Sequence, residues 1–263
     1  MRNLILFLWL LTGQVQADLH WQPSTGETKG HQGAKAHVFK LVDRLSGTNS
    51  SVELIHSDLE RSVLFSGSEL FRINSTGKNN YHALIAHENG NKYRRMAVRY
   101  LYLNGKPVDY SPSDLLAVGL GAFEIIPDPL PREHWRYTSG KNYSFLLKFE
   151  GELLTDQPVL VMTEFGASEI LHSDATGRLE IAIPNDFPDV KPGKRANPPG
   201  ELRLFSELTR EGIEYQTSLS AEYRVSSESW QSVSLGSGVA LGGLVFGFWL
   251  NRRLPVHSRR KTK

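Results

Sequence analysis

Met96-Ala97-Val98-Arg99-Tyr100-Leu101-Tyr102-Leu103 decides the fold class. Met96, Val98, Tyr100 and Tyr102 form one set; Ala97, Arg99, Leu101 and Leu103 form the other. A repeat of two residues is the period of a β-strand, whose successive side chains point to opposite faces. Working outward, similar short runs occupy 38–44, 51–56, 62–65, 70–74 and 81–87, with Gly47, Gly67, Gly77 and Gly90 between them. Asn104-Gly105 closes this set and predicts a type I′ turn, since that dipeptide tolerates two positive φ angles. A second set follows at 123–127, 143–149, 158–165, 169–172, 178–183, 201–206 and 215–225. The 184–200 stretch holds five prolines, which cannot donate to a ladder, and is expected to lie across the surface. The expected fold is all-β: two tandem Ig-like or transthyretin-like β-sandwich domains, 37–118 and 119–228.

Two hydrophobic segments frame these strands. Residues 1–17 combine Arg2, an apolar run and a small-residue exit at Val15-Gln16-Ala17, the pattern of a signal peptide. Residues 232–250 carry no charge over nineteen positions, which matches one membrane-spanning helix. The basic tail 251–263 places the C-terminus in the cytoplasm. The strands between are then an ectodomain in the periplasm of a bacterial inner-membrane protein. Gly238 and Gly242, and Gly243 and Gly247, repeat a four-residue spacing that lets two membrane helices approach closely, so a helix-mediated homo-oligomer is expected.

The formal charge of +2 hides an asymmetry. Without the leader and tail, 23 Lys and Arg face 28 Asp and Glu, a net of −5. That sign argues against nucleic acid as a partner. With no cysteine, the ectodomain folds without disulfides and offers no thiolate to a metal.

Residues 122–184 carry recognisable turns. Phe123-Glu124-Ile125-Ile126-Pro127, Phe149-Glu150-Gly151-Glu152-Leu153-Leu154 with Pro158-Val159, and Ser173-Asp174-Ala175-Thr176-Gly177-Arg178 with Ile183-Pro184 resemble a periplasmic β-sandwich family of unknown function. That family is associated with nickel and cobalt uptake systems, and the same turns mark carboxypeptidase-regulatory-like and transthyretin-like sandwiches. The resemblance implies a fold and a metal-transporter setting; it implies no catalytic residues. Gly151 and Gly177 are expected at positive φ, and Asp174 is expected to cap its own turn.

Candidate metal ligands cluster at the mature N-terminus. Cleavage after Ala17 would begin the chain Asp18-Leu19-His20, and an α-amine, two amides and the His20 imidazole can wrap copper(II) or nickel(II) in a square plane. His31 and His37 lie in or beside the same 18–36 segment, which reads as a flexible terminus, and could add ligands. His82 and His87 share a strand at an odd spacing, which puts them on opposite faces. No nucleophile elbow, zinc-protease helix or phosphate loop is present. The expected function is non-enzymatic: a membrane-anchored periplasmic accessory to transition-metal uptake, nickel or cobalt first and copper next, with metal-transporter subunits as partners. A purely structural or protein-interaction envelope module is the alternative that the residues leave open.

Overall fold

The computed structural model describes residues 18–24, 36–45, 49–65, 69–132, 136–193 and 195–231, together with Leu241, Gly243, Leu244 and Phe246. The leader 1–17, His31, Gly238, Gly242, Gly247 and the tail 251–263 lie outside them. Among the described residues no helix is long and apolar enough to cross a membrane.

The strands in chain order are β1 (His20–Pro23), β2 (His37–Val42), β3 (Asn49–Ile55), β4 (Arg61–Val63), β5 (Leu70–Ile73), β6 (Asn80–Asn89), β7 (Tyr93–Leu103), β8 (Phe123–Pro127), β9 (Tyr137–Thr138), β10 (Asn142–Phe149), β11 (Glu152–Leu153), β12 (Pro158–Thr163), β13 (Ser168–His172), β14 (Arg178–Ala182), β15 (Gly200–Arg210) and β16 (Ile213–Arg224). Two short helices, α1 (Pro112–Ala117) and α2 (Ser227–Trp230), complete the set. Helix α1 starts where Ser111 accepts from the Asp114 N–H and Asp114 accepts from the Ser111 N–H, a capping box.

A nine-stranded sheet dominates, in the order β13-β12-β15-β16-β7-β6-β3-β4, with β9 added beside β16. Strand β7 lies parallel to β16, pairing Val98 with Leu219 and Arg99 with Ser220. The halves 37–118 and 119–228 therefore share one sheet, where the sequence reading expected two tandem units.

Alternation along the strands gives this sheet two unlike faces. On one, Ile85, Val98, Leu204, Leu219 and Val161 lie in register and pack against Phe145, Leu147, Leu179 and Ile181 of a four-stranded sheet, β8, β10, β11 and β14. On the other, Val52, Leu84, Ala86, Ala97 and Leu101 meet Trp21, Phe39, Leu41, Phe71 and Ile73 of a three-stranded sheet, β1-β2-β5, and Leu19 just before it. Each buried Leu, Ile or Phe contributes about 1.5–3 kcal/mol of transfer free energy. The second layer is also charged. Arg95 donates to Glu88, Gln216 and the Asp43 carbonyl. Arg99 makes a two-pronged pair with Glu201 and lies 4.9 Å over the Phe39 ring.

Several expectations change. Residues 18–24 do not form a flexible terminus: Leu19 and Trp21 are buried, and β1 pairs along β2 from His20–Val42 to Pro23–Phe39. The Trp21 indole N–H also donates to the Ala97 carbonyl at 3.1 Å. At Asn104-Gly105 neither residue has positive φ, so no type I′ turn forms. Gly105 is needed for approach instead, since a Cβ there would lie 2.3 Å from the Gly77 backbone. Gly151 and Gly177 do take positive φ, at 85° and 71°. Asp174 caps its turn by accepting from the Thr176 and Arg178 N–H groups. The 184–200 stretch crosses the surface, tied down by Asp186, which accepts from Tyr223, and by Phe187 against Phe165.

Candidate functional site

The antiparallel register of β1 and β2 brings the N-terminal residues to Asp43. His20 pairs with Val42, so the chain just before His20 runs beside the residue just after Val42. Asp43 takes a left-handed backbone, φ 62°, as β2 ends. The ligand-bearing atoms of Asp18, His20 and Asp43 all lie within 4.8 Å of one another. His20 Nδ1 sits 2.7 Å from the Asp18 carbonyl oxygen, 3.5 Å from Asp18 Oδ1 and 3.9 Å from Asp43 Oδ2. Two carboxylates and one imidazole form a mixed oxygen and nitrogen set that suits divalent first-row metals.

A resident cation shares the cluster. Arg203, on β15, places Nη1 2.8 Å from His20 Nε2 and 3.0 Å from Nδ1. Its Nε lies 3.3 Å from Asp18 Oδ2, an oxygen that is buried yet accepts no hydrogen bond. Burial alone would raise the Asp18 carboxyl. The hydrogen bond with His20 and the charges of Arg203 and His20 outweigh it and hold Asp18 below the usual carboxylate range. Asp18 is therefore an anion at neutral pH, whether a guanidinium or a metal ion balances it.

The square-planar wrap foreseen for the terminus would require the β1 geometry seen here to rearrange. That wrap needs the amides of Leu19 and His20 to turn inward on one ion. Here Leu19 is 2% exposed within the core and its carbonyl accepts from Ser218 Oγ. Asp18 and His20 are brought together, with Asp43 as a third partner. His37 stands apart on β2, stacked on Phe39 with ring centres 6.4 Å apart. His82 and His87 fall on opposite faces, opposite Leu101 and Met96. Gly243 is helical and a Cβ there would meet nothing within 4 Å.

Two further constellations are present. His56 Nε2 lies 2.7 Å from Ser62 Oγ, but its buried Nδ1 meets no acceptor. A serine–histidine pair without a group to orient the ring lacks the third member of a hydrolase triad. A cavity of about 310 Å³ opens where β7 and β16 part, lined by Tyr81, Tyr100, Tyr102, Tyr137 and Arg99. The Tyr137 hydroxyl is buried there with no partner.

No family model and no curated protein matches the chain. Solved structures that align with it are remote. A bacterial ice-binding adhesin involved in host cell surface retention is 9% identical, with TM-score 0.28, over 80% of this chain and 64% of that one. A tetra-tandem repeat from the extending region of a large adhesion protein is 11% identical, with TM-score 0.24, over 79% and 49%. The D0–D1 domain of Intimin is 10% identical, with TM-score 0.25, over 78% and 97%. This chain thus spans less than two thirds of the first two. At such distances nothing is carried over about binding or partners.

Proposed function

We propose that this chain is a non-enzymatic envelope protein that holds a divalent transition-metal ion on Asp18, His20 and Asp43. Residues 232–250 would anchor it in a bacterial inner membrane, with the strands in the periplasm, the tail in the cytoplasm and metal-transporter subunits as partners. One observation carries the metal reading: three side chains from the ends of two paired strands bring their ligand atoms within 4.8 Å. Nickel(II) and cobalt(II) fit a set of two carboxylates and one imidazole, and copper(II) follows.

A nickel(II) titration of the mature full-length chain, solubilised in detergent and begun at Asp18, tests this. Asp43→Ala should weaken binding by about tenfold or more. One extra residue before Asp18 should leave binding nearly unchanged, because this site needs no free α-amine. The reverse pattern would place the ion on the terminal amine and amides. Absence of binding in the parent chain would end the metal reading.

The Arg203 contacts favour a second reading. A guanidinium already beside His20 and Asp18 balances the buried carboxylate without a metal. The cluster then serves to pin β1 onto the long sheet, and the protein is a structural or protein-interaction module. Arg203→Ala separates the two: it would tighten nickel(II) binding if the ion must displace the guanidinium, and would only loosen β1 if it does not.

A further inference from the structure

We infer that β13 is the contact by which two copies of this chain pair, edge to edge, in one membrane. Strand β13 ends the long sheet and pairs with β12 alone among the described residues. The Thr163 N–H donates to the Ala167 carbonyl at 3.0 Å and the Ser173 N–H to the Gln157 carbonyl at 3.1 Å. Alternation along an antiparallel pair then turns the N–H and C=O groups of Glu169 and Leu171 toward β12. Those of Ser168, Ile170 and His172 point outward, away from the sheet.

Sheet edges are normally blunted by shortness, proline or basic side chains. The far edge, β4, is three residues long and begins with Arg61, which pairs with Glu53. Strand β1 ends on Pro23. Strand β14 begins with Arg178, which pairs with Asp128. Strand β13 has five residues and no proline, lysine or arginine, and its central Ile170 is 63% exposed. His172 is engaged with Asp156 at 3.0 Å and does not cover the edge.

The sequence of β13 suits itself as a partner. Antiparallel pairing about Ile170 sets Ile170 against its copy and Ser168 against His172, so every outward group meets an outward group, for about six backbone bonds. A slip of one residue would set outward groups against inward ones. Glu169 faces Leu171 of the copy, so like charges never meet. Five residues a side bury far less than the roughly 800 Å² per partner of a stable soluble dimer. The pairing therefore rests on the anchored reading above, in which a shared membrane supplies the effective concentration. The Gly238–Gly242 and Gly243–Gly247 spacings let the anchors approach as well.

Single cysteines test this cleanly, because the natural chain has none. In membranes holding the full-length chain, Ile170→Cys should cross-link to a covalent dimer on mild oxidation, since facing Cα atoms lie about 5.5 Å apart. Ser168→Cys alone and His172→Cys alone should not, while co-expression of those two variants should. Equal cross-linking by all three single variants, or none by Ile170→Cys in chain that resists an alkaline wash, overturns the edge pairing. Chain released by the wash overturns the anchor, and the pairing with it. Ile170→Pro gives a second measure: its missing N–H points outward, so β12 pairing survives while dimer cross-linking through an engineered tail cysteine should fall by about tenfold.

Discussion

Val98 and Arg99 are neighbours on β7, and each is almost wholly buried, yet they enter different chemistry. Val98 joins Ile85 and Leu219 in a layer closed by Phe145 and Leu147. Arg99 reaches Glu201 beneath Phe39, in line with the Glu88–Arg95–Gln216 group further along the same face. Apolar burial is non-directional and sums with area, so the first face tolerates small shifts. The second depends on named partners at fixed distances. Arg95 and Gln216, 121 residues apart, meet only if β7 and β16 hold their parallel register. Buried ion pairs add little net stability once desolvation is counted; their loss on one side is what costs. Bulk stability thus resides mainly on the Val98 face, and register mainly on the Arg99 face.

The comparison can be broken in order of effect. Phe145→Ala, at a fully buried site, should cost about 3–5 kcal/mol in denaturant unfolding. A loss below about 1 kcal/mol would mean that the four-stranded sheet is not fully packed against the long one. Glu88→Ala should cost about 3 kcal/mol by stranding the Arg95 charge, whereas Glu88→Gln, which keeps hydrogen-bonding capacity, should cost less. Equal costs would show that the carboxylate charge, and not hydrogen-bonding geometry, holds this face.

Acid should act next. Burial pushes His82 down to about 4, against a hydrogen bond with the Asn80 carbonyl that works the other way. The unfolded imidazole binds its proton near pH 6.5. Between those values the unfolded state holds more protons, so the contribution is complete above about pH 6.5 and is lost as pH falls toward 4. Melting temperature should drop across that window, and His82→Leu should flatten the slope. Asp18, held below its usual range, keeps its contribution above the unfolded carboxylate value and loses it as pH falls through the lower folded one. Smallest is Trp21→Phe, which removes the bond to the Ala97 carbonyl and should cost about 1–2 kcal/mol.

Much of the strand order could be read from period and punctuation. The run Phe123–Pro127 forms β8 with the expected bounds, because Gly121 precedes it, its own Pro127 ends it and its other residues favour sheets. Asp174, Gly151 and Gly177 were legible because turn chemistry is local. Strand β1 was not. Four residues show no period, and the polar, glycine-rich context outweighed the one available signal, the alternation of Leu19 and Trp21 about His20. Asp43 escaped notice for a related reason. It joins Asp18 and His20 only through the β1–β2 register, and nothing local marks one aspartate at a strand end as special. Asn104-Gly105 misled because its glycine answers a tertiary contact with Gly77, not a turn type.

The parallel seam between β7 and β16 has a consequence for biogenesis. Its two strands are separated by the whole of the four-stranded sheet and by the proline-rich crossing. A chain synthesised from its N-terminus would deliver β6 and β7 early and β16 almost last. Until then Arg95 and Arg99 would lack Gln216 and Glu201, and β7 would present an open, largely apolar edge to its surroundings. Non-local closure of this kind is slow and exposes the waiting edge to wrong partners. Truncation before residue 213 should accordingly yield aggregated material in place of a folded N-terminal half.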